Sequence, residues 1–190
     1  MFAALLLATA LAGATTVADD PTPIPTLPPA DCSIVDATEA SKIIGFEVEP
    51  PDEISRSGGI CHFTSVDVSH EGMLSYALIT ADRLPQRRAF FYALSRRCAP
   101  AVKGTLNYLG CRQFLKLAVA QTLDDYYAAR TSSGDASPIP GLGESAVVNG
   151  NALYVKRGQT VFEVSVTIGG EFDLERSTRL ANELLAHTPQ

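Results

Sequence analysis

Val161-Phe162-Glu163-Val164-Ser165-Val166-Thr167-Ile168 decides how this chain is read. Strand side chains alternate between two faces, so Phe162, Val164, Val166 and Ile168 share one side, and Val161, Glu163, Ser165 and Thr167 the other. Such alternation predicts an antiparallel strand with a core on one face and water on the other. Just upstream, Ser145–Asn149 and Ala152–Lys156 flank Asn149-Gly150-Asn151, a hairpin signature, and Gly158-Gln159 makes the next turn. Downstream, Gly169-Gly170 ends the strand. Asp173 can cap a final helix with Leu174, Ser177, Ala181 and Leu184 along one side. Glu175 and Arg179 form a favourable four-apart pair on its exposed side.

Earlier segments extend the same pattern. Asp36-Ala37-Thr38-Glu39 is a capping box, with Val35 and Ala40 spaced for the accompanying hydrophobic staple. Ala37, Ala40, Ile43 and Ile44 make an apolar face, and Gly45 supplies the stop. Pro50-Pro51 and Ser57-Gly58-Gly59 mark a loop. Strands are expected near Ile60–Val68 and Met73–Ala81, joined by a turn holding His70, Glu71 and Gly72. Pro85 suits a first helical turn, and Phe90, Phe91, Leu94 and Cys98 recur at helical spacing until Pro100 and Gly104 interrupt. A second helix is expected over roughly Cys111 to Arg130, with Phe114, Leu117, Ala118, Leu123 and Tyr126 as its buried stripe. Thr131–Pro140 reads as a loop. The order α-β-β-α-α-β-β-β-α predicts an α+β fold: a single antiparallel sheet with helices packed on one face. No internal repeat stands out.

The termini and cysteines speak to compartment. Residues 1–12 are an uncharged apolar run, too short to span a bilayer. Small residues and then Asp19-Asp20 follow, the layout of a signal peptide over 1–18 with cleavage after Ala18. No Lys or Arg precedes the run. Residues 19–31 hold five prolines and read as an extended linker. A single globular domain is expected over 32–187, large enough to bury a core. Composition calls for no collagenous, coiled-coil or disordered class. Lipidation at Cys32 is disfavoured, because Asp31 rather than a small residue precedes it. Four cysteines allow three pairings. Cys32–Cys61 and Cys98–Cys111 are favoured: the first pins the opening helix to the first strand, and the second closes a helix–loop–helix. The absence of Cys-x-x-Cys and the scattered histidines argue against a metal site, and no cofactor motif is present.

The chain has a formal net charge of −6, yet from Arg83 to Leu123 it contains no Asp or Glu. Arg83, Arg87, Arg88, Arg96, Arg97, Lys103, Arg112 and Lys116 all lie there, interleaved with Phe90, Phe91, Tyr92 and Tyr108. Such asymmetry can steer an anionic partner. It can also be a basic face turned toward the acidic remainder of the same molecule. Arg87, Arg88, Arg96, Arg97, Lys103 and Arg112 are the candidate anion-binding residues, and nucleic acid is disfavoured by overall acidity. Gly141-Leu142-Gly143-Glu144-Ser145-Ala146 matches the letters of a dinucleotide fingerprint, but a loop precedes it and a strand follows, so it reads as a tight loop. His62, His70 and His187, with Asp67 and Glu71 near His70, have no metalloenzyme spacing. There is no G-x-S-x-G elbow. Asp124 and Asp125 are helix neighbours and diverge.

The run Cys32-Ser33-Ile34-Val35 before Thr38-Glu39-Ala40 is followed by Gly45, by Cys61-His62-Phe63 and by Pro140-Gly141-Leu142-Gly143-Glu144-Ser145-Ala146. Together these resemble small bacterial secreted and lipoprotein domains of unknown function. The resemblance implies an extracytoplasmic α+β domain and carries no catalytic residues. The functional expectation is an exported, soluble binding or accessory module at the cell envelope. It would dock an anionic envelope polymer, a lipid headgroup or an acidic protein. The alternatives are an extracytoplasmic hydrolase with a site assembled from distant residues, and a structural component of an envelope assembly.

Overall fold

A computed structural model describes residues 23–67, 69, 71–98, 106–132 and 134–188, with 106–109 described as backbone. The expected leader, residues 1–18, lies outside the described residues. The elements run α1 (Ala37–Ile44), β1 (Val48–Glu49), α2 (Glu53–Ser57), β2 (Cys61–Ser65), β3 (Gly72–Thr80), α3 (Leu84–Arg97), α4 (Leu106–Val119), α5 (Leu123–Thr131), β4 (Ser137–Pro138), β5 (Ser145–Asn149), β6 (Ala152–Arg157), β7 (Thr160–Ile168), β8 (Glu171–Phe172) and α6 (Leu174–His187). All eight strands join one antiparallel sheet in the order β1-β2-β3-β7-β6-β5-β4, with β8 paired to the end of β7. The fold is α+β, as expected. Its centre is the β3–β7 ladder, in register from Gly72 opposite Ile168 to Thr80 opposite Thr160.

Local chemistry sets the element ends. The Asp36 side chain accepts from the Glu39 N–H at 2.9 Å, and Gly45 at φ +97° ends α1. Asp173 caps α6 in the same way, accepting from the Arg176 N–H. The single helix expected over 111–130 is two. Thr122 adopts extended backbone and forms a reciprocal capping box with Asp125, so a new helix starts there after Ala120 and Gln121. The Pro50–Gly59 loop contains the short helix α2, capped by Asp52. The GLG segment is a loop into a strand: Gly141 and Gly143 have φ of +78° and +61°, and β5 begins at Ser145.

Both expected disulfides are present, Cys32–Cys61 and Cys98–Cys111. The first joins the segment before α1 to β2. The second joins the end of α3 to α4. A bridge of this kind contributes about 2–4 kcal/mol, largely by restricting the unfolded chain.

The helices occupy both faces of the sheet, where one was expected. On the first face Phe63, Leu74, Tyr76, Leu153, Val155, Phe162, Val164 and Val166 meet Ile43 and Ile44 of α1 and Leu180, Ala181 and Leu184 of α6. On the second, Ala77, Ile79 and Val161 meet Leu84, Phe91, Leu117, Leu123 and Tyr126 from α3, α4 and α5. The expectation of one covered face holds for α1 and α6. It fails for the middle helices because the second face also has apolar residues, at Ala77, Ile79 and Val161, that need burial. On α6, Ser177 is buried with Leu180 and Leu184, and its hydroxyl oxygen accepts from the Val166 N–H at 3.0 Å, whereas Leu174 is exposed.

The described part of the proline-rich stretch lies on the domain. Ile24 is half-buried, and Leu27 and Ala30 are buried, while Pro23, Pro25 and Pro29 are exposed. That three-residue period is the period of a polyproline II helix. The Ala30 N–H donates to Arg56 O at 2.8 Å, and Arg83 Nη1 donates to Pro29 O at 3.5 Å. The stretch therefore acts as a strap over its last residues.

Gly72 is required by packing. A Cβ there would lie 2.1 Å from Phe46 Cζ and 2.6 Å from Cε2. Gly72→Ala should lower stability by about 1–3 kcal/mol through overpacking, and Phe46→Ala in the same chain should recover part of the loss. Urea unfolding of the single and double variants measures this. Strict additivity would show that the ring is not what excludes the methyl group.

Candidate functional site

Glu163 is the second member of β7's second face, after Val161, and it is largely withdrawn from water. Its side chain is 17 % exposed beneath the middle helices. Arg130 of α5 places Nε 2.7 Å from Glu163 Oε1. Tyr126 of the same helix donates its hydroxyl to Oε1 at 2.7 Å. Arg87 of α3 brings Nη1 to 4.0 Å from Oε2 and donates through Nη2 to Gly59 O at 3.1 Å. The Arg130 guanidinium also lies 5.3, 5.6 and 5.9 Å from the ring centroids of Phe91, Tyr126 and Tyr154. The cation thus lies over three aromatic rings, a setting that favours Arg over Lys.

Burial is the largest influence on the Glu163 carboxyl and by itself would raise its pKa. Arg130, Arg87 and the Tyr126 hydrogen bond outweigh it, and the net result is below the ordinary Glu value. Burial, aided by the Glu163 charge, pushes Tyr154 up to about 12. A neighbouring cavity of about 150 Å³, lined by Ser75, Ala77, Ala152 and Tyr154, touches both members of the pair. That is below the size of a usual ligand pocket. A carboxylate held ionised by two guanidiniums is poorly suited to general acid or base work near neutral pH. The cluster joins α3 and α5 to the sheet.

The basic block is divided by the fold. Arg87 is 5 % exposed and belongs to this internal cluster, so it is not placed to meet a macromolecular partner. Arg88 is half-buried and donates to Ala118 O, linking α3 to α4. Arg96, Arg97 and Arg112 are exposed near the Cys98–Cys111 bridge, and Lys116 is exposed further along α4 with Nζ 3.2 Å from Ser132 Oγ. Lys103 and Tyr108 fall where no side chain is described. The helical pair therefore buries one side in the second core and turns Arg96, Arg97, Arg112 and Lys116 outward.

Other candidates stay apart. His62 is on β2 opposite Ser75, His187 bonds its own helix at Glu183 O, and His70 lies outside the described residues. Asp124 pairs with Lys156, and Asp125 closes the α5 cap, so the two carboxylates serve different partners. Among the described residues, no group of three His, Cys, Asp or Glu could hold a metal ion. No helix among them is long and apolar enough to cross a membrane. No protein-family model, curated protein or solved structure matches the chain.

The internal cluster escaped sequence reasoning, though one signal was available: a lone Glu between apolar neighbours in the middle of the clearest strand. Its folded pKa lies below the ordinary 4.5. The stability it contributes is therefore complete above that value and lost as pH falls through the folded value. Glu163→Gln leaves two buried guanidiniums without their anion and should cost about 3–5 kcal/mol near pH 7. The gap between variant and wild type should narrow on acidification to about pH 3. Denaturant unfolding at both pH values tests this; an equal gap at both would exclude the ion cluster as its source.

Proposed function

We propose that this protein is an exported binding or accessory module of the bacterial cell envelope that docks an anionic partner through the outer side of α3 and α4. Charge segregation carries the reading. Eight of the 15 bases and none of the 21 acids lie between Arg83 and Leu123; the remaining seven bases and 21 acids give the rest of the chain −14. Arg87 belongs to the internal cluster, Arg88 to the helix–helix contact and Arg83 reaches Pro29 O, whereas Arg96, Arg97, Arg112 and Lys116 are exposed on a disulfide-closed hairpin. A localised positive field on an acidic protein orients it toward an anionic surface and keeps its other sides away. Export is supported by the apolar leader and by four cysteines all paired in disulfides, which persist in oxidising compartments.

The test is binding of the purified, oxidised protein to immobilised polyphosphate. Affinity should fall with rising salt. Changing Arg96, Arg97, Arg112 and Lys116 together to Gln should weaken binding by at least about tenfold at low ionic strength, with Arg87 kept so that the core is intact. Unchanged binding by the quadruple variant would refute the assignment.

A further inference from the structure

The exposed apolar residues of this protein are not spread evenly. Of the seven large ones among the described residues, Tyr92, Leu115 and Val119 are on α3 and α4, the two helices that carry the outward bases. Leu115 is 53 % exposed, Val119 61 % and Tyr92 55 %. On α4, Arg112, Leu115, Lys116 and Val119 follow at i, i+3, i+4 and i+7, which places them on one face of the helix. The opposite side of α4 is committed inward: Leu117 and Ala118 are buried, Phe114 stacks on Phe91 at 6.0 Å, and Gln113 Nε2 donates to Ala129 O of α5. The outer face thus alternates long cationic side chains with aliphatic ones in contact with solvent.

Resting on the anionic-docking reading above, we propose that the partner is an anionic lipid bilayer surface, with Leu115 and Val119 entering the headgroup region and the neighbouring bases on lipid phosphates. A soluble polyanion has use for the bases but offers nothing to bury the aliphatic side chains. A bilayer interface takes both, since buried apolar area and attraction to anionic lipid add in interfacial binding. Charge complementarity selects anionic over zwitterionic lipid. The Cys98–Cys111 bridge holds α3 to α4 before docking, so less ordering is needed on contact.

Sedimentation with vesicles separates the possibilities. The oxidised protein should bind phosphatidylglycerol-containing phosphatidylcholine vesicles at low salt and not vesicles of phosphatidylcholine alone. Leu115→Ser with Val119→Ser removes aliphatic surface that is already exposed, so the fold should survive, as unchanged circular dichroism would confirm. That variant should lose about tenfold in vesicle affinity, the effect of no longer burying parts of two aliphatic side chains, while its binding to polyphosphate and polyglutamate stays at wild-type level. Wild-type vesicle binding by the double Ser variant, or binding to the soluble polyanions but not to the vesicles, would overturn the lipid inference and leave anionic docking standing. Binding to none of these would overturn both.

Discussion

The carboxylate of Glu163 lies on a central strand under three helices, and the middle of the chain is arranged around its need for a partner. An ionised carboxylate taken out of water must be paired and hydrogen-bonded, or it will neutralise. Arg130 and Tyr126 meet it from α5 and Arg87 from α3, so one acidic side chain ties two helices to the sheet. The same Arg130 is surrounded by Phe91, Tyr126 and Tyr154, which places the ion pair inside an aromatic cage next to the apolar contacts of Ile79, Leu117 and Val161. Removing the acid would leave the cations unpaired there, so the cluster and the second core stand or fall together.

This internal use of charge also shapes the surface. Arg87 is buried beside Glu163 and Arg88 is half-buried against Ala118 O, while the exposed bases lie at the disulfide end of α3 and along α4. The two disulfides have different neighbourhoods: Cys32–Cys61 sits at the edge of the first core, where β2 is short, and Cys98–Cys111 closes the hairpin that carries the outward bases and the exposed Leu115 and Val119. Stability and the proposed docking therefore use opposite faces of α4.

Much of the fold was legible from local patterns. The caps at Asp36 and Asp173, the stop at Gly45, the hairpin at Asn149-Gly150-Asn151 and the alternation in β7 each depend on a few neighbouring residues, and each is where expected. Both sulfur pairings also followed from which elements the cysteines flank. The break between α4 and α5 was less visible, because the apolar spacing runs through it and the capping box at Thr122 lies inside an otherwise helical stretch. The strap was read as a spacer; the burial of Leu27 and Ala30 depends on Gly59 and α2, which are distant in sequence.

Local sequence by itself determined the main helices and strands and those of their ends that are set by caps and turn glycines, and it favoured the two bridges that form, since caps, turn glycines and side-chain period act over a handful of residues. Only the tertiary structure decided that β7's polar-looking face is covered, that Glu163 and Arg130 meet from 33 residues apart, and that the basic block divides into internal and outward members. Alternation reports that two faces differ, and it carries no information about what is packed on either. That depends on the path of the chain between β3 and β7, whose pairing brings the two ends of a long insertion side by side and folds the inserted helices back across the sheet.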